Sequence, residues 1–335
     1  MSARLRIALE AGGLSLPETG TISVLRPAAE MDLSDLPRDR LEIVQPVKPD
    51  FDHFKNTGYE SVAASDTPVA MTLVCLPRAK ALAQALIAEA CSRSDGLVAV
   101  DGSKTDGVDS LLKACLARVA VSGPISKAHG KLFWFSATDT FNDWCAPAEQ
   151  MVDGFVTAPG VFSADGPDPA SVALLAALPR LAGHVVDLGA GWGFLSAGLL
   201  QQDGIKILDL VEADATALEC ARQNVRDPRT QFHWADATTW TPATPVDAVV
   251  MNPPFHTGRA ADPSLGRSFI DAAARVLAPS GQLWMVANRH LPYEATLTDR
   301  FASVEEIAGD TKFKVLRAQR PIRARKSAVP RRTRR

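Results

Sequence analysis

The chain has 335 residues, more than one hydrophobic core usually spans, so two domains are expected. Its apolar share of 46% is that of an ordinary globular protein, and no apolar run reaches the ~18 residues of a membrane span. The residues after Met1 lack a signal-peptide core, and the five cysteines (Cys75, Cys91, Cys115, Cys145, Cys220) are odd in number with no C-x-x-C pair. These features point to a reduced, cytoplasmic protein without disulfides, a membrane or a metal site.

The net charge of −2 hides an asymmetry. Residues 317–335 hold nine Lys or Arg and no acid, leaving −11 on the rest. An acidic body with a basic tail suits a polyanion held by local contacts; a solubilising tail reads equally well.

In chain order, β-prone runs fall at 22–25, 41–44 and 71–76. A helical stretch at 78–92, a strand at 97–100 and a helix at 107–116 follow. This is a βα pattern and implies a parallel sheet. No Gly-x-Gly-x-Gly follows any of these strands, and 101–107 lacks the Gly-Lys-Ser/Thr ending of a phosphate loop. A Gly- and Pro-rich connector covers 150–170, and a helix is expected at 169–182. From 184 onward the alternation is clear: strands at 184–188, 207–211, 231–234 and 246–251, with helices to 202 and over 214–224. A helix at 266–278 should stop at Pro279-Ser280-Gly281, before a strand at 283–287 and a short helix. Two runs at 302–308 and 312–318, joined by Gly309-Asp310, suggest an antiparallel edge hairpin.

The chemistry-bearing motifs cluster in this second half. Asn252-Pro253-Pro254-Phe255 follows an apolar strand, and two prolines without N–H groups must end it. An amide side chain, a carbonyl and a ring then meet at the carboxyl end of a strand, where doubly wound sheets bind ligands. The amide oxygen and the carbonyl can both accept from one NH₂ group while the ring stacks, a grip for a planar amine. Gly189-x-Gly191-x-Gly193 sits between strand and helix, as a nucleotide-type ligand requires. Glu212, at the end of the next strand, can accept from ribose hydroxyls, which fits NAD and S-adenosylmethionine alike. G-x-G-x-G in place of G-x-G-x-x-G tilts away from NAD. So does Asp187, which would repel a pyrophosphate but suits an ammonium or sulfonium. Asp236 can accept from an adenine amine or simply close a turn.

Val186-Asp187-Leu188-Gly189-Ala190-Gly191-Trp192-Gly193, then Glu212, Asp236 and Asn252-Pro253-Pro254-Phe255 in order, resemble a class I S-adenosylmethionine-dependent methyltransferase. With Pro159-Gly160-Val161-Phe162-Ser163, Asp168, Ser171 and a glycine-less βα domain in front, the whole chain resembles the bacterial ribosomal RNA small-subunit methyltransferase C family and its guanine-N2 relatives. Two features depart from that pattern: the proline-rich Asp165-Gly166-Pro167-Asp168-Pro169, and the Arg-rich tail.

The resemblance implies two tandem Rossmann-like methyltransferase-type α/β domains. Residues 1–150 would form a degenerate domain without a cofactor site that helps hold RNA. Residues 151–318 would form the catalytic domain, with a seven-stranded, mostly parallel sheet and an antiparallel edge hairpin, and 319–335 a basic tail. It implies methyl transfer from S-adenosylmethionine to a guanine N2 in 16S-type ribosomal RNA, with the RNA or the small subunit as partner. Asn252, Pro253 and Phe255 would be catalytic. Asp187, Gly189, Gly191, Gly193, Glu212, Asp236, Asn252 and Phe162 would hold the cofactor, with Thr157 and Ser163 as further lining candidates. His256 reads as a wall or loop residue ahead of a base, Arg259 and Arg267 equally as phosphate contacts or solvated loop arginines, and Trp134 and Trp144 as packing residues ahead of an RNA-contacting surface. The alternatives are another planar nitrogen (adenine N6 or a protein glutamine) or a non-catalytic RNA-binding assembly protein.

Overall fold

A computed structural model describes residues 3–11, 13–147, 150–254 and 263–323. In the first half, helices α1 (Ala3–Glu10), α2 (Lys48–Asn56), α3 (Lys80–Arg93) and α4 (Val108–Leu116) flank seven strands. These are β1 (Ile22–Leu25), β2 (Leu41–Val44), β3 (Glu60–Val62), β4 (Val69–Cys75), β5 (Ser94–Ser103), β6 (Ser122–Lys127) and β7 (Gly130–Ser136), in the sheet order β3-β2-β1-β4-β5-β7-β6. A small hairpin, β8 (Gln150–Val152) and β9 (Phe155–Thr157), leads into the second half.

There the strands are β10 (Gly183–Leu188), β11 (Ile205–Glu212), β12 (Thr230–Trp234), β13 (Val246–Met251), β14 (Leu277–Asn288), β15 (Phe301–Gly309) and β16 (Phe313–Pro321). Their order is β12-β11-β10-β13-β14-β16-β15, the first half's order repeated strand for strand. In each sheet five strands run parallel, and a late hairpin inserts its second strand antiparallel to the fifth. Helices α5 (Pro169–Ala177), α6 (Phe194–Leu199) and α7 (Ala215–Asn224) cover one face of the second sheet, and α8 (Pro263–Val276) and α9 (Glu294–Arg300) the other. Both faces are thus dry, which is why Val185, Val186 and Leu188 of β10 are all buried.

The fold class agrees with the sequence reading, and local physics explains the differences. Helix α5 stops at Ala177, short of the expected 182, because Leu178 precedes Pro179 and takes an extended ψ of 135°. Residues 277–282, expected to hold a helix end and a stop, already belong to β14, where Val246 pairs with Leu277 before a register shift. The β6–β7 hairpin was not expected: β6 carries Gly123 and Pro124 and lacks a β-prone pattern. Strand β16 runs to Pro321, three residues beyond the expected domain end.

The halves join through the turn after β11. Val47 bridges Asp214, the Lys48 N–H donates to the Ala213 carbonyl, and the Ala215 N–H donates to the Pro46 carbonyl. The Trp234 indole N–H donates to the Pro46 carbonyl (2.9 Å), its ring lies 4.7 Å from Phe51, and Arg26 pairs with Asp214 at 3.1 Å.

Candidate active site

The carboxyl ends of four neighbouring strands assemble the site. β10 carries Asp187 one residue before its end and leads into the glycine loop, β11 ends in Glu212, β12 leads to Asp236, and β13 to Asn252.

Asp187 is fully buried, and the Ser196 hydroxyl on α6 donates to its Oδ2 at 2.7 Å. Its Oδ1 has no hydrogen-bond partner among the described residues. Burial pushes the carboxyl up to about 7, partly opposed by the Ser196 bond and reinforced by the neighbouring Glu212 charge. A buried acceptor without a partner is costly, and a cationic group would satisfy it.

Glu212 organises the loop itself. Its Oε2 accepts from the Gly191 N–H and its Oε1 from the Asp214 N–H, both at 2.8 Å. Burial raises this carboxyl, while those two N–H groups pull it down. These two bonds leave the carboxylate with acceptor capacity to spare. Gly189, Gly191 and Gly193 all take left-handed φ (83°, 56° and 90°). A Cβ on Gly191 would meet nothing within 4 Å, so this backbone faces open space that a ligand can approach. A Cβ on Gly193 would come within 2.9 Å of Val225 Cγ2, where α6 packs beside α7.

Asn252 sits directly after β13. Its Nδ2 donates to Asp168 Oδ2 at 2.8 Å and to Ser171 Oγ at 2.9 Å, both at the start of α5. The remaining hydrogen-bonding atom of this amide is Oδ1. A void of about 40 Å³ between the glycine loop and Asn252 is lined also by Phe162, Ser163 and Phe194. It can seat one end of a nucleoside-sized ligand, since whole small-molecule pockets run to about 300–1,000 Å³.

The other expected residues divide. Phe162 borders the void and is 58% exposed, and its carbonyl accepts the Trp192 indole N–H at 2.9 Å. Thr157 is buried and donates to the Ala164 carbonyl, a packing role. Asp236 closes a turn: its Oδ1 accepts from the Thr238 N–H and hydroxyl at 2.8 and 2.7 Å. Pro253 is buried; Phe255, His256 and Arg259 lie outside the described residues, and Arg267 is exposed on α8. Trp134 and Trp144 are buried among core side chains.

Three contacts went unread in the sequence. Ser196 carries no motif signal. Asp168 and Ser171 entered only as residues of the family resemblance; that Asp168 caps α5 and that both reach Asn252 appears only in the structure. Trp234 looked like one more strand residue. A wider cleft of about 570 Å³, lined by Leu25, Arg26, Leu82, Ala158 and Pro159, lies between the halves, away from the glycine loop. Among the described residues no cluster of His, Cys, Asp and Glu could hold a metal, and no helix is long and apolar enough to cross a membrane.

The second half matches the family model described as the methyltransferase small domain over residues 153–317. A ribosomal RNA small subunit methyltransferase C of Shewanella sp. (strain MR-4) is 32% identical over 257 residues, 72% of this chain and 75% of that protein. A ribosomal RNA large subunit methyltransferase G of Streptomyces avermitilis is 38% identical over 165 residues, 48% of this chain and 43% of its own length. Among solved structures, a T. thermophilus 16S rRNA N2 G1207 methyltransferase in complex with AdoMet and guanosine superimposes with a TM-score of 0.75 at 23% identity, over 91% of this chain and 90% of that one. The structural match shows the shared fold, and 32% identity over 72% of this chain and 75% of the Shewanella protein leads to one conclusion: this chain belongs to the ribosomal RNA small subunit methyltransferase C family.

Proposed function

We propose that the chain transfers a methyl group from S-adenosylmethionine to the exocyclic N2 amine of a guanine in small-subunit ribosomal RNA. The observation that carries this reading is the Asn252 amide: both its hydrogens are engaged by α5, so it offers a substrate only an acceptor. The residues beside it fit the cofactor. Asp187 Oδ1 is buried without a partner among the described residues and suits a cationic group, Gly191 leaves room for close approach, and Glu212 keeps acceptor capacity. The bound sulfonium supplies an electrophilic methyl group. Asn252 Oδ1 and the Pro253 carbonyl accept the two N–H bonds of the amine. They favour a more tetrahedral nitrogen and stabilise the positive charge developing there. Holding nitrogen and methyl in line adds an orientation advantage, about 7–11 kcal/mol in favourable systems. The product ammonium is acidic and loses its proton to water without a dedicated base. Phe255 would stack on the base, which must be unpaired or flipped to enter.

The first half, in this proposal, binds no cofactor and helps hold the RNA. Its β6–β7 tip forms a cleft of about 440 Å³ lined by Lys104, Lys127, His129 and Lys131. The matching tip of the second half forms one of about 460 Å³ with Arg289, His290 and Lys312. Asp109 pairs with Lys131 and Glu306 with Arg289; Lys104, Lys127 and Lys312 have no ion pair among the described residues and suit phosphates. A substrate in ribosomal RNA supports reading the protein as cytoplasmic.

Mass spectrometry of ribosomal RNA nucleosides from a deletion strain tests the reading. Loss of one N2-methylguanine from the small-subunit RNA is expected. Loss of a methyladenine, or of a methylated glutamine in a protein, would overturn the assignment.

A further inference from the structure

Asp168 and Asn252 are 84 residues apart in sequence and meet through a single oxygen. Asp168 is the N-cap of α5: its Oδ2 accepts the Ser171 N–H at 2.9 Å, with Pro169 at the first helical position. The same Oδ2 accepts one hydrogen of the Asn252 amide, and Ser171 Oγ takes the other. An Asn side chain is nearly symmetric in shape, and its two ends differ only in donating or accepting. Facing a carboxylate oxygen, the nitrogen end must turn toward α5. Were the amide reversed, two acceptors would meet at Asp168, and an NH₂ would confront the NH₂ of the substrate.

We infer that Asp168 is a positioning residue that fixes the polarity of the Asn252 amide, and through it the requirement that the methylated atom be an amine. This rests on the function proposed above and names what sets the selectivity of that site. Ser171 is the second anchor, with a smaller share because it is neutral. Amine selectivity therefore resides in the start of α5 as much as in the Asn-Pro-Pro segment, and the helix cap and the substrate grip are one structural unit.

Two substitutions separate this role from helix capping. Asp168→Ser keeps a good N-cap for the Ser171 N–H but is too short to reach Asn252. Asp168→Asn can place its carbonyl oxygen where Oδ2 now sits and serve both partners. Asp168→Ser should lower kcat on the order of 10–100-fold, the scale of a slightly misplaced reacting group. Its Tm should match wild type, its affinity for S-adenosylmethionine should change far less than kcat although Asp168 lines the void, and Asp168→Asn should retain turnover. A readout free of activity is the side-chain NH₂ resonance of Asn252, assigned by its loss in Asn252→Asp. It should shift in Asp168→Ser and stay in place in Asp168→Asn.

Wild-type turnover and an unmoved resonance in Asp168→Ser would overturn the inference. So would turnover, cofactor affinity and Tm falling together, the mark of a purely structural residue, or an Asp168→Asn variant as impaired as Asp168→Ser. If wild-type protein instead methylated a different base, the function proposed above would fall, while the resonance would still report on the anchor.

Discussion

The two halves of this molecule share one strand order but carry different residues at the ends of their strands. The Arg26 N–H donates to the Val44 carbonyl at 2.8 Å, just as the Gly189 N–H donates to the Val211 carbonyl at 2.9 Å, and this puts the two frames in register. Following the strand pairings outward, Asp187 corresponds to Val24, Gly189 to Arg26, Glu212 to Gln45 and Asn252 to Cys75. Asp187, Glu212 and Asn252, the groups proposed to face a ligand, thus have apolar or amide counterparts.

The Glu212 and Gln45 pair shows how thoroughly the change is built in. Glu212 accepts from two N–H groups, those of Gly191 and Asp214. Gln45 accepts from the Val47 N–H at 2.9 Å but donates to the Pro27 carbonyl at 2.7 Å. Where the second half places a glycine loop that donates, the first half places a proline segment that can only accept, so an amide replaces the carboxylate. The strand order depends on the apolar faces, which both halves keep. The cofactor site depends on a handful of loop atoms, and there the halves diverge. The first half in turn holds the second by the turn that carries Glu212, through Pro46, Lys48 and Trp234.

The largest asymmetry should appear in turnover. Asn252→Ala should reduce methyl transfer by at least about 10²-fold, the scale for losing one preorganised hydrogen-bonding partner. Its counterpart Cys75→Ala should leave turnover at the wild-type level, as single-turnover assays would show. A large loss in Cys75→Ala would break the comparison. Next comes Glu212→Gln, which copies the first half into the second. An NH₂ would then face the Gly191 or Asp214 N–H, and S-adenosylmethionine binding should weaken on the order of 10–100-fold by calorimetry. Unchanged binding would mean the carboxylate is dispensable.

A smaller effect is written in Asp187. Its folded carboxyl titrates near 7 against an ordinary 3.8, so the apoprotein holds a proton that the unfolded chain releases. That contribution to stability is complete below about pH 3.8 and fades as pH rises through 7. A cationic ligand reverses the preference. Cofactor affinity should therefore strengthen from pH 6 to pH 8 with proton release, and Asp187→Asn should remove both the dependence and the release. The smallest effect concerns the joint: Trp234→Ala should cost roughly 1–3 kcal/mol in Tm-derived stability while preserving the fold by circular dichroism.

The sheet of the second half was legible because β10, β11 and β13 are short apolar runs bounded by turn residues, and the glycine loop and Asn252-Pro253-Pro254 punctuate them. Asp187, Glu212 and Asn252 were readable as candidate site residues from their place at or next to strand ends. What could not be read was side-chain polarity set across distance. Asp168 turns the Asn252 amide, Ser196 holds Asp187, and Trp234 reaches Pro46 in the other half; these pairings exist only once the strands are ordered. Asp236 illustrates the converse, a residue with a plausible ligand role whose Oδ1 is engaged by Thr238 two positions on.

The claim that one half retains the chemistry and the other only its sheet is tested most directly by calorimetric titration of the full-length protein with S-adenosylhomocysteine, counting sites. The account predicts one site per chain, greatly weakened by Glu212→Gln and untouched by Gln45→Ala. Two sites per chain, or one site lost with Gln45→Ala and kept with Glu212→Gln, would contradict it.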